Sequence, residues 1–294
     1  MSLRLKTVYN ALVGAWGGLL AWLLLDLLIE RLFGVRLTNV WLDASLNGAI
    51  GGMCVGALVS GFGGLAAARV LLLARGLIVG LFTGVLGGVL GLLAGQAAFQ
   101  LGGLLSAEVL VRGMFRAIGW AIFGAGIGVA EGMLTLSYKR FLFGGLGGVI
   151  GGFAGGIVFA LIERVLNLQL LNRALGFALL GAFIGLFVGL IPDLLKEAWL
   201  KVVSSGRNEG NEFLLDKPVN TIGSAERSDV ALFGDNAIAP KHAEIRQESG
   251  QFVLHALAGQ RVEVDDRQAT RVALQDGTRV RIGATKLIFR RKGS

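Results

Sequence analysis

The chain has 294 residues, of which 54% are hydrophobic and only 16% are charged, with 47 glycines and a formal net charge of +8 at pH 7. This composition excludes an ordinary soluble enzyme and a disordered chain, and it is typical of a membrane protein. The long apolar runs end near residue 192 and the charged residues are denser beyond it. We therefore expect a membrane domain followed by a soluble one.

Six apolar stretches occupy residues 1–192, and each is about 18–25 residues long, enough for a helix to cross a hydrocarbon core of about 30 Å. Backbone amides in lipid must be satisfied within their own segment, so we predict six transmembrane helices despite the glycine content. The lipid bilayer is the first expected partner. The predicted spans are Tyr9–Ile29, Leu46–Ala68, Leu77–Gln100, Phe115–Leu136, Phe141–Ile162 and Arg173–Ile191.

Six crossings place both termini on one side of the membrane, and basic loop residues favour the cytoplasmic side. The basic residues on the two sides nearly balance. On the side of the termini they have no acidic neighbours, and they are Arg4, Lys6, Arg69, Arg75, Lys139 and Arg140. On the other side acidic residues lie among them: Arg31, Arg36, Arg112, Arg116, Arg164 and Arg173, with Glu30, Asp43, Glu108 and Glu163. We predict an inner-membrane protein with cytoplasmic termini.

Two glycine motifs alternate along the six spans. The second, fourth and sixth spans share Ala-(Ile/Leu)-Gly-x4-Gly-Ala, with the glycine pairs Gly51/Gly56, Gly119/Gly124 and Gly176/Gly181. The first, third and fifth share Gly-x-x-Gly-Gly, which ends at Gly17/Gly18, Gly87/Gly88 and Gly147/Gly148. The pattern predicts three helical hairpins in the same orientation. Small residues on one helix face let backbones approach closely, so these glycines are candidate helix-packing sites of a glycine zipper, within the bundle or in a homo-oligomer.

A channel or transporter is the alternative interpretation of the membrane half, and it needs polar side chains along a path. Asp26 and Glu131 are the acids within the spans, and ionisable groups in a membrane are functional candidates. Both lie towards span ends, as do Asn47, Gln96 and Gln100. We therefore expect interfacial positions or helix-to-helix hydrogen bonds, with transport left open.

Residues 193–211 join the two halves in this interpretation. Asp193–Val203 sets leucines and a tryptophan against charged residues, which predicts an amphipathic exit helix at the headgroups. Residues 204–211 are polar and predict a short linker.

Residues 212–294 contain short β-type runs separated by Gly, Asp and Asn, a pattern that predicts an all-β sandwich. The fold class is thus α+β in two parts, a helical membrane bundle and a β sandwich. The predicted strands are Phe213–Leu215, Val219–Ile222, Asp229–Leu232, Ala243–Ile245, Phe252–Leu254, Val262–Val264, Val280–Ile282 and Leu287–Phe289.

Five pieces of this region, in order, resemble a forkhead-associated (FHA) domain. They are Thr221-Ile222-Gly223, Ser228 to Leu232, His242 to Ile245, Leu274 to Gly277, and Arg281 to Phe289. The resemblance covers about residues 212–291 and no part of the membrane half. It implies a β sandwich for protein interaction, whose loops at one end hold a phosphothreonine peptide.

The phosphate-binding positions implied by the resemblance are mostly changed in this chain. Ser224 replaces the arginine after the Ile-Gly, Ala239-Pro240 replaces Ser-Arg, and 258–261 replaces Asn-Gly. Phosphate needs charge-assisted donors, so standard phosphothreonine recognition is not expected. The residues left as candidate peptide-binding positions, including a substitute basic cluster of Arg227, Lys241 and Arg261, are Ser224, Arg227, Lys241, His242, Gln260 and Arg261.

Catalytic, cofactor and metal sites are not expected. Cys54 is the sole cysteine, and His242 and His255 are the two histidines. No phosphate-binding glycine loop or nucleophile elbow occurs. Nucleic-acid binding is not expected, because the soluble part mixes both charge signs and lacks an aromatic series. We therefore predict a non-catalytic scaffold or signalling adaptor that displays a cytoplasmic FHA-like module to a protein partner.

Overall fold

A computed structural model describes residues 3–34, 37–66, 70–105, 108–206 with a gap at 166–168, and 209–292. The chain separates into two compact units, Leu3–Leu194 and the part from Leu195 onward. Some residues used in the predictions lie outside the described residues or have undescribed side chains: Ala68, Arg36, Arg69, Arg4, Lys6, Glu163 and Arg164.

The first unit is helical, and six of its stretches are long and apolar enough to cross a membrane by length and composition. This confirms the expected helical class. The elements are α1 (Leu3–Trp22), continued by a π-helical segment (Leu23–Leu32), α2 (Val40–Ala66), α3 (Val70–Leu105), α4 (Val109–Gly128), α5 (Ala130–Thr135), α6 (Tyr138–Val165) and α7 (Gln169–Leu194). The fourth predicted span is thus divided, since the α-helical winding is interrupted at Val129.

The long helices form a closed ring. Each packs against the next in the order α1, α2, α3, α4, α6, α7, and α7 packs against α1. Apolar side chains that are at most 3% exposed fill the centre, namely Trp120, Phe123, Ile127, Leu180 and Ile184. The Trp120 ring lies 5.5 Å from that of Phe123 and 5.7 Å from that of Phe159, centroid to centroid. The described centre of the ring is therefore apolar.

The paired glycines of α1, α3 and α6 have equivalent positions in the ring. A Cβ on the first glycine of each pair would meet the backbone of the next helix of the same hairpin: Gly17 on α2, Gly87 on α4 and Gly147 on α7. A Cβ on the second would overlap the backbone of the preceding hairpin: Gly18 on α7, Gly88 on α2 and Gly148 on α4. Each pair thus lies against both neighbours of its helix, in the same sense three times.

The glycines of the other motif follow the same geometry with one departure. The second glycine lies against a glycine of the following helix: Gly56 against Gly80, Gly124 against Gly148 and Gly181 against Gly14. Gly119 contacts the α3 backbone, and Gly176 contacts the Phe159 ring of α6. Gly51 differs, because its nearest neighbour is the Phe123 ring at 3.5 Å, an ordinary van der Waals distance.

The second unit is a β sandwich, which confirms the expected all-β class. The strands are β1 (Ala198–Val202), β2 (Glu212–Leu214), β3 (Val219–Gly223), β4 (Val230–Ala231), β5 (Ala243–Glu248), β6 (Gln251–Ala256), β7 (Glu263–Val264), β8 (Arg267–Gln268), β9 (Arg271–Leu274), β10 (Arg279–Ile282) and β11 (Thr285–Arg291). One sheet has the order β2-β1-β11-β10-β7-β8 and the other β4-β3-β5-β6-β9. Their inward side chains form one core. Strands β8 and β9 were not predicted.

Five of the eleven residues predicted as an amphipathic exit helix, 198–202, form a strand of this sandwich. β1 pairs with β11 on one side and β2 on the other. Ala198, Leu200 and Val202 point into the core and are at most 1% exposed. Buried and more exposed side chains alternate over residues 198–202. Leu194 and Leu195 precede this short alternation, and together with it they also fit a helical spacing. The described residues of the predicted linker 204–211 lie between β1 and β2 in sequence, and Gly210 N donates to the Val202 carbonyl at 3.1 Å.

Candidate functional site

The candidate peptide-binding positions lie in three loops: β3–β4, β4–β5 and β6–β7. The first two loops are joined by backbone hydrogen bonds, from Ser224 N to the Ala239 carbonyl at 3.0 Å and from Ala225 N to the Pro240 carbonyl at 3.2 Å. A Cβ at Gly223 would overlap the Pro240 carbonyl, so glycine is needed for this close approach. The Ser228 hydroxyl also donates to Pro240, at 3.2 Å. These backbone groups are therefore bonded to each other.

His242 connects the second and third loops. It is 3% exposed; its Nδ1 accepts a hydrogen bond from Ala239 N at 3.2 Å, and its Nε2 lies 3.0 Å from the Arg261 carbonyl. A carbonyl can only accept, so the ring carries its proton on Nε2 and is neutral. The imidazole therefore ties two loops together, and both of its nitrogens are occupied.

The third loop is a tight turn over 257–260. Gln260 N donates to the Leu257 carbonyl at 2.9 Å, and Gly259 has a φ of +78°, which favours glycine. Gln260 is half-buried in this turn and Arg261 is exposed next to it. Ala239 thus links the backbone of Ser224 to the His242 ring, and the Arg261 carbonyl links that ring to the third loop.

The expected substitute basic cluster is not formed by its three cations together. The Lys241 ammonium lies 2.6 Å from Glu244, whose carboxylate also pairs with Arg246 at 2.8 Å. These two cations hold the pKa of Glu244 below its usual value against a smaller opposing effect of burial. Arg227 and Arg261 are exposed, and their side chains make no hydrogen bond or ion pair within the described part of the chain.

Asp229 fixes the end of the β3–β4 loop to β3 and to the residue Lys217 that precedes β3. Its carboxylate accepts hydrogen bonds from Lys217 Nζ at 2.7 Å and from the backbone N–H and the hydroxyl of Thr221, both at 2.9 Å. Burial raises the pKa of Asp229, but these three donors together outweigh it, so the pKa lies below its usual value. The carboxylate is a fixed part of the loop rather than a free ligand.

Asp235 joins the β4–β5 loop to the β10–β11 turn. Its carboxylate accepts from Ala284 N at 2.6 Å and from Ala237 N at 2.9 Å. The bond from Ala284, followed by that from Ala237, lowers the pKa of Asp235. Sequence reasoning did not identify this residue, because its partner is 49 positions away.

A second polar cluster lies at one end of the helical ring. The Arg173 guanidinium in α7 lies 2.8 Å from Asp26 and 3.6 Å from Glu30, and it donates to Asn47 of α2 at 3.2 Å. The Asp26 side chain is 6% exposed. Two of the polar residues considered for transport, Asp26 and Asn47, thus join helices. Glu131 instead pairs with Arg140 at 3.6 Å and is 42% exposed.

Comparison with known proteins concerns the second unit. A family model described as the cytoplasmic domain of an inner membrane component of the type III secretion system matches residues 202–293. The chain is 36% identical over 95 residues to an oxoglutarate dehydrogenase inhibitor of Corynebacterium diphtheriae, and 35% identical over 91 residues to the glycogen accumulation regulator GarA of Mycolicibacterium smegmatis. These matches cover 31% of this chain and 64% and 57% of those proteins. The C-terminal unit is an FHA domain.

Solved FHA domains also align with this unit. The FHA domain of CT664 from Chlamydia trachomatis is 26% identical, with a TM-score of 0.29, over 32% of this chain and 97% of that one. The FhaA FHA domain, solved with the intracellular domain of Rv3910, is 23% identical with a TM-score of 0.29 over 32% of this chain and 99% of that one. These likenesses concern the second unit, whereas the six candidate membrane spans lie in the first.

Proposed function

We propose that the chain is a non-catalytic scaffold or adaptor of the inner membrane, which presents a cytoplasmic FHA domain to a protein partner without standard phosphothreonine recognition. The six candidate spans support the anchor, and the family match to a cytoplasmic domain of an inner-membrane component supports the orientation. The relatives named as an enzyme inhibitor and a regulator support a protein as the partner.

The bonding of Ser224 to Ala239 is the observation that carries the proposal. At the positions where the family uses charged and hydroxyl donors, this chain has side chains without charge, and its backbone N–H groups at 224 and 225 are bonded to carbonyls. Lys241, the basic residue next to them, is paired with Glu244. A phosphate dianion entering here would lack the paired charged donors that it needs.

A channel or transporter is the alternative, and it requires a polar path through the ring. The apolar centre around Trp120 and Phe123 argues against such a path, as does the use of Asp26 and Asn47 in contacts between helices. The glycines support close backbone packing rather than a lining. The scaffold role is the one we retain.

Peptide titration tests the ligand preference. The full-length protein in nanodiscs is titrated with phosphothreonine peptide libraries and their unphosphorylated counterparts. We expect no phosphate-dependent saturation. Saturable binding that needs the phosphate, and that Arg227→Ala or Arg261→Ala weakens while Arg271→Ala does not, would contradict the proposal by giving the loops a substitute phosphate site.

Partner capture tests the scaffold role. Crosslinked full-length protein is purified beside a chain that ends at Leu194, and both samples are treated with phosphatase. We expect a protein that crosslinks to the sandwich loops, is absent from the truncated control and survives phosphatase treatment. Equal recovery from both chains, together with solute flux in reconstituted vesicles, would shift the function to the membrane unit.

A further inference from the structure

The outer face of the six-stranded sheet carries a group of cations around one half-buried apolar residue. Antiparallel pairing places Lys201 of β1 and Arg279 of β10 on either side of Ile288 in β11. Lys286 lies two residues before Ile288, on the same face. All three cations are exposed, and Ile288 is half-buried. We call these four residues the basic face.

The cations of the basic face lack bonded partners within the part of the chain that the structure describes. The side chains of Lys201, Arg279 and Lys286 make no ion pair or hydrogen bond with any residue that the structure describes. Lys286 also lies directly opposite Arg281, an arrangement of like charges that destabilises a sheet pair. Arg281 has Glu263 at 3.3 Å, a partner that Lys286 lacks among the described residues. An external anion would relieve this repulsion.

The same face of the sheet contains a groove. Its volume is about 240 Å³, and its lining includes Arg279, Arg281, Lys286 and Ile288 together with the acids Glu263 and Asp266. Glu263 is paired with Arg281, so the remaining charges of the lining are two cations, Arg279 and Lys286, and one acid, Asp266. A shallow groove with cations around an aliphatic floor fits a headgroup phosphate above an acyl carbon better than it fits an extended peptide.

An aromatic residue extends the face along β1. Trp199 lies opposite Arg290 on this side of the sheet, and Lys196 Nζ lies 4.4 Å from the centroid of its ring. Tryptophan is favoured at the interface of membrane and water because its ring is apolar and its N–H is polar. Only residues 195–197 separate the end of α7 from β1. Three extended residues span at most about 11 Å.

We propose that the basic face is a membrane-docking surface that binds anionic lipid headgroups of the leaflet next to α7. The chemistry is phosphate oxygen against the three unpaired cations, with Ile288 and Trp199 against the upper acyl carbons. Each lysine or arginine near an anionic leaflet strengthens attraction about fivefold, and the effect weakens with salt. Docking frees the loops of the β3–β4 end for a protein partner.

Lysine labelling tests this proposal on the intact, unmodified chain. The protein is reconstituted in nanodiscs of phosphatidylcholine alone or with phosphatidylglycerol, and the rate of acetylation of each lysine is measured by mass spectrometry. We expect Lys201 and Lys286 to react at least threefold more slowly in the anionic discs, with the difference lost in 0.5 M salt. Lys241, 55% exposed in the β4–β5 loop, is the internal control and keeps its rate.

Two matched variants complete the test. Arg279→Gln leaves both reporter lysines in place and should weaken the attraction to the anionic leaflet about fivefold, so most of the protection of Lys201 and Lys286 should be lost. Arg227→Gln removes an exposed cation elsewhere and should leave the protection unchanged. Equal labelling in both lipids, or the same loss of protection in both variants, would overturn the proposal. Protection in phosphatidylcholine discs by a soluble phosphopeptide would overturn it in favour of a peptide site.

Discussion

The Arg173 guanidinium lies 2.8 Å from the Asp26 carboxylate and so joins α7 to the segment that continues α1. The two residues are 147 positions apart in sequence, and they meet because the third hairpin returns to the first. Arg173 also donates to Asn47 of α2. One side chain thus connects three elements at the place where the ring closes.

Asp26→Asn should destabilise the helical unit by about 1.5–3 kcal/mol, because it removes the charged acceptor closest to Arg173, whose side chain is 36% exposed and keeps Glu30 at 3.6 Å. Arg140→Gln is the control, since its pair with Glu131 is longer, at 3.6 Å, and more exposed. Its effect should stay below about 1 kcal/mol. Thermal unfolding in detergent, followed by size-exclusion chromatography, measures both variants. Equal melting shifts would show that the Asp26 pair is no stronger than a surface pair.

Gly52→Ala should disrupt the contact of α2 with α3, because its Cβ would overlap the Gly84 backbone. Overpacking of this kind costs about 1–3 kcal/mol. Gly63→Ala in the same helix is the control, since a Cβ there meets nothing within 4 Å. It should be neutral or stabilise by up to about 1 kcal/mol. The two melting temperatures in detergent decide this, and a neutral Gly52→Ala would contradict the packing role.

Removal of β1 should unfold the FHA domain. Residues 195–294, expressed alone, should unfold cooperatively, whereas 203–294 should lack dispersed NMR signals. β1 lies between β2 and β11, and it contributes Ala198, Leu200 and Val202 to the core. Each buried aliphatic side chain contributes about 1.5–3 kcal/mol, a large share of a domain stability of about 5–15 kcal/mol. Identical unfolding midpoints of the two fragments would mean that β1 is dispensable.

Acid should destabilise the FHA domain through Asp229. Its folded pKa lies below its usual value, so its contribution is complete above the unfolded pKa of about 3.9 and is lost as the pH falls through the folded pKa. Asp229→Asn should lower stability at pH 7 and flatten the decline below about pH 4. Asp266→Asn is the control, because that exposed side chain makes no hydrogen bond with any described residue. Urea unfolding of residues 195–294 between pH 7 and 3 measures both; parallel pH profiles for the wild type and Asp229→Asn would refute the assignment.

The fold class, the six helices and the FHA domain were predictable from sequence. Hydrophobic length and the order of short motifs such as Thr221-Ile222-Gly223 are local properties. Residues 198–202 were misassigned, because a five-residue alternation cannot be distinguished from a helical spacing until its partner strand β11 is known. The glycine motifs predicted three repeats, but which neighbour each glycine contacts depended on the packing of whole helices.

The sequence by itself therefore determined two units, membrane spans, a sandwich, and the loss of an arginine at 224, a serine at 239 and an arginine at 240 relative to the family pattern. Tertiary structure alone decided the rest. The sequence allowed Lys241 to be a ligand-binding residue, but in the folded domain its ammonium group is paired with Glu244. Lys201, Arg279 and Lys286 are scattered over 86 positions in sequence, and they share one face because β1, β11 and β10 are neighbours in the sheet. Pairing between distant strands brings such charges together, and no local pattern encodes that pairing.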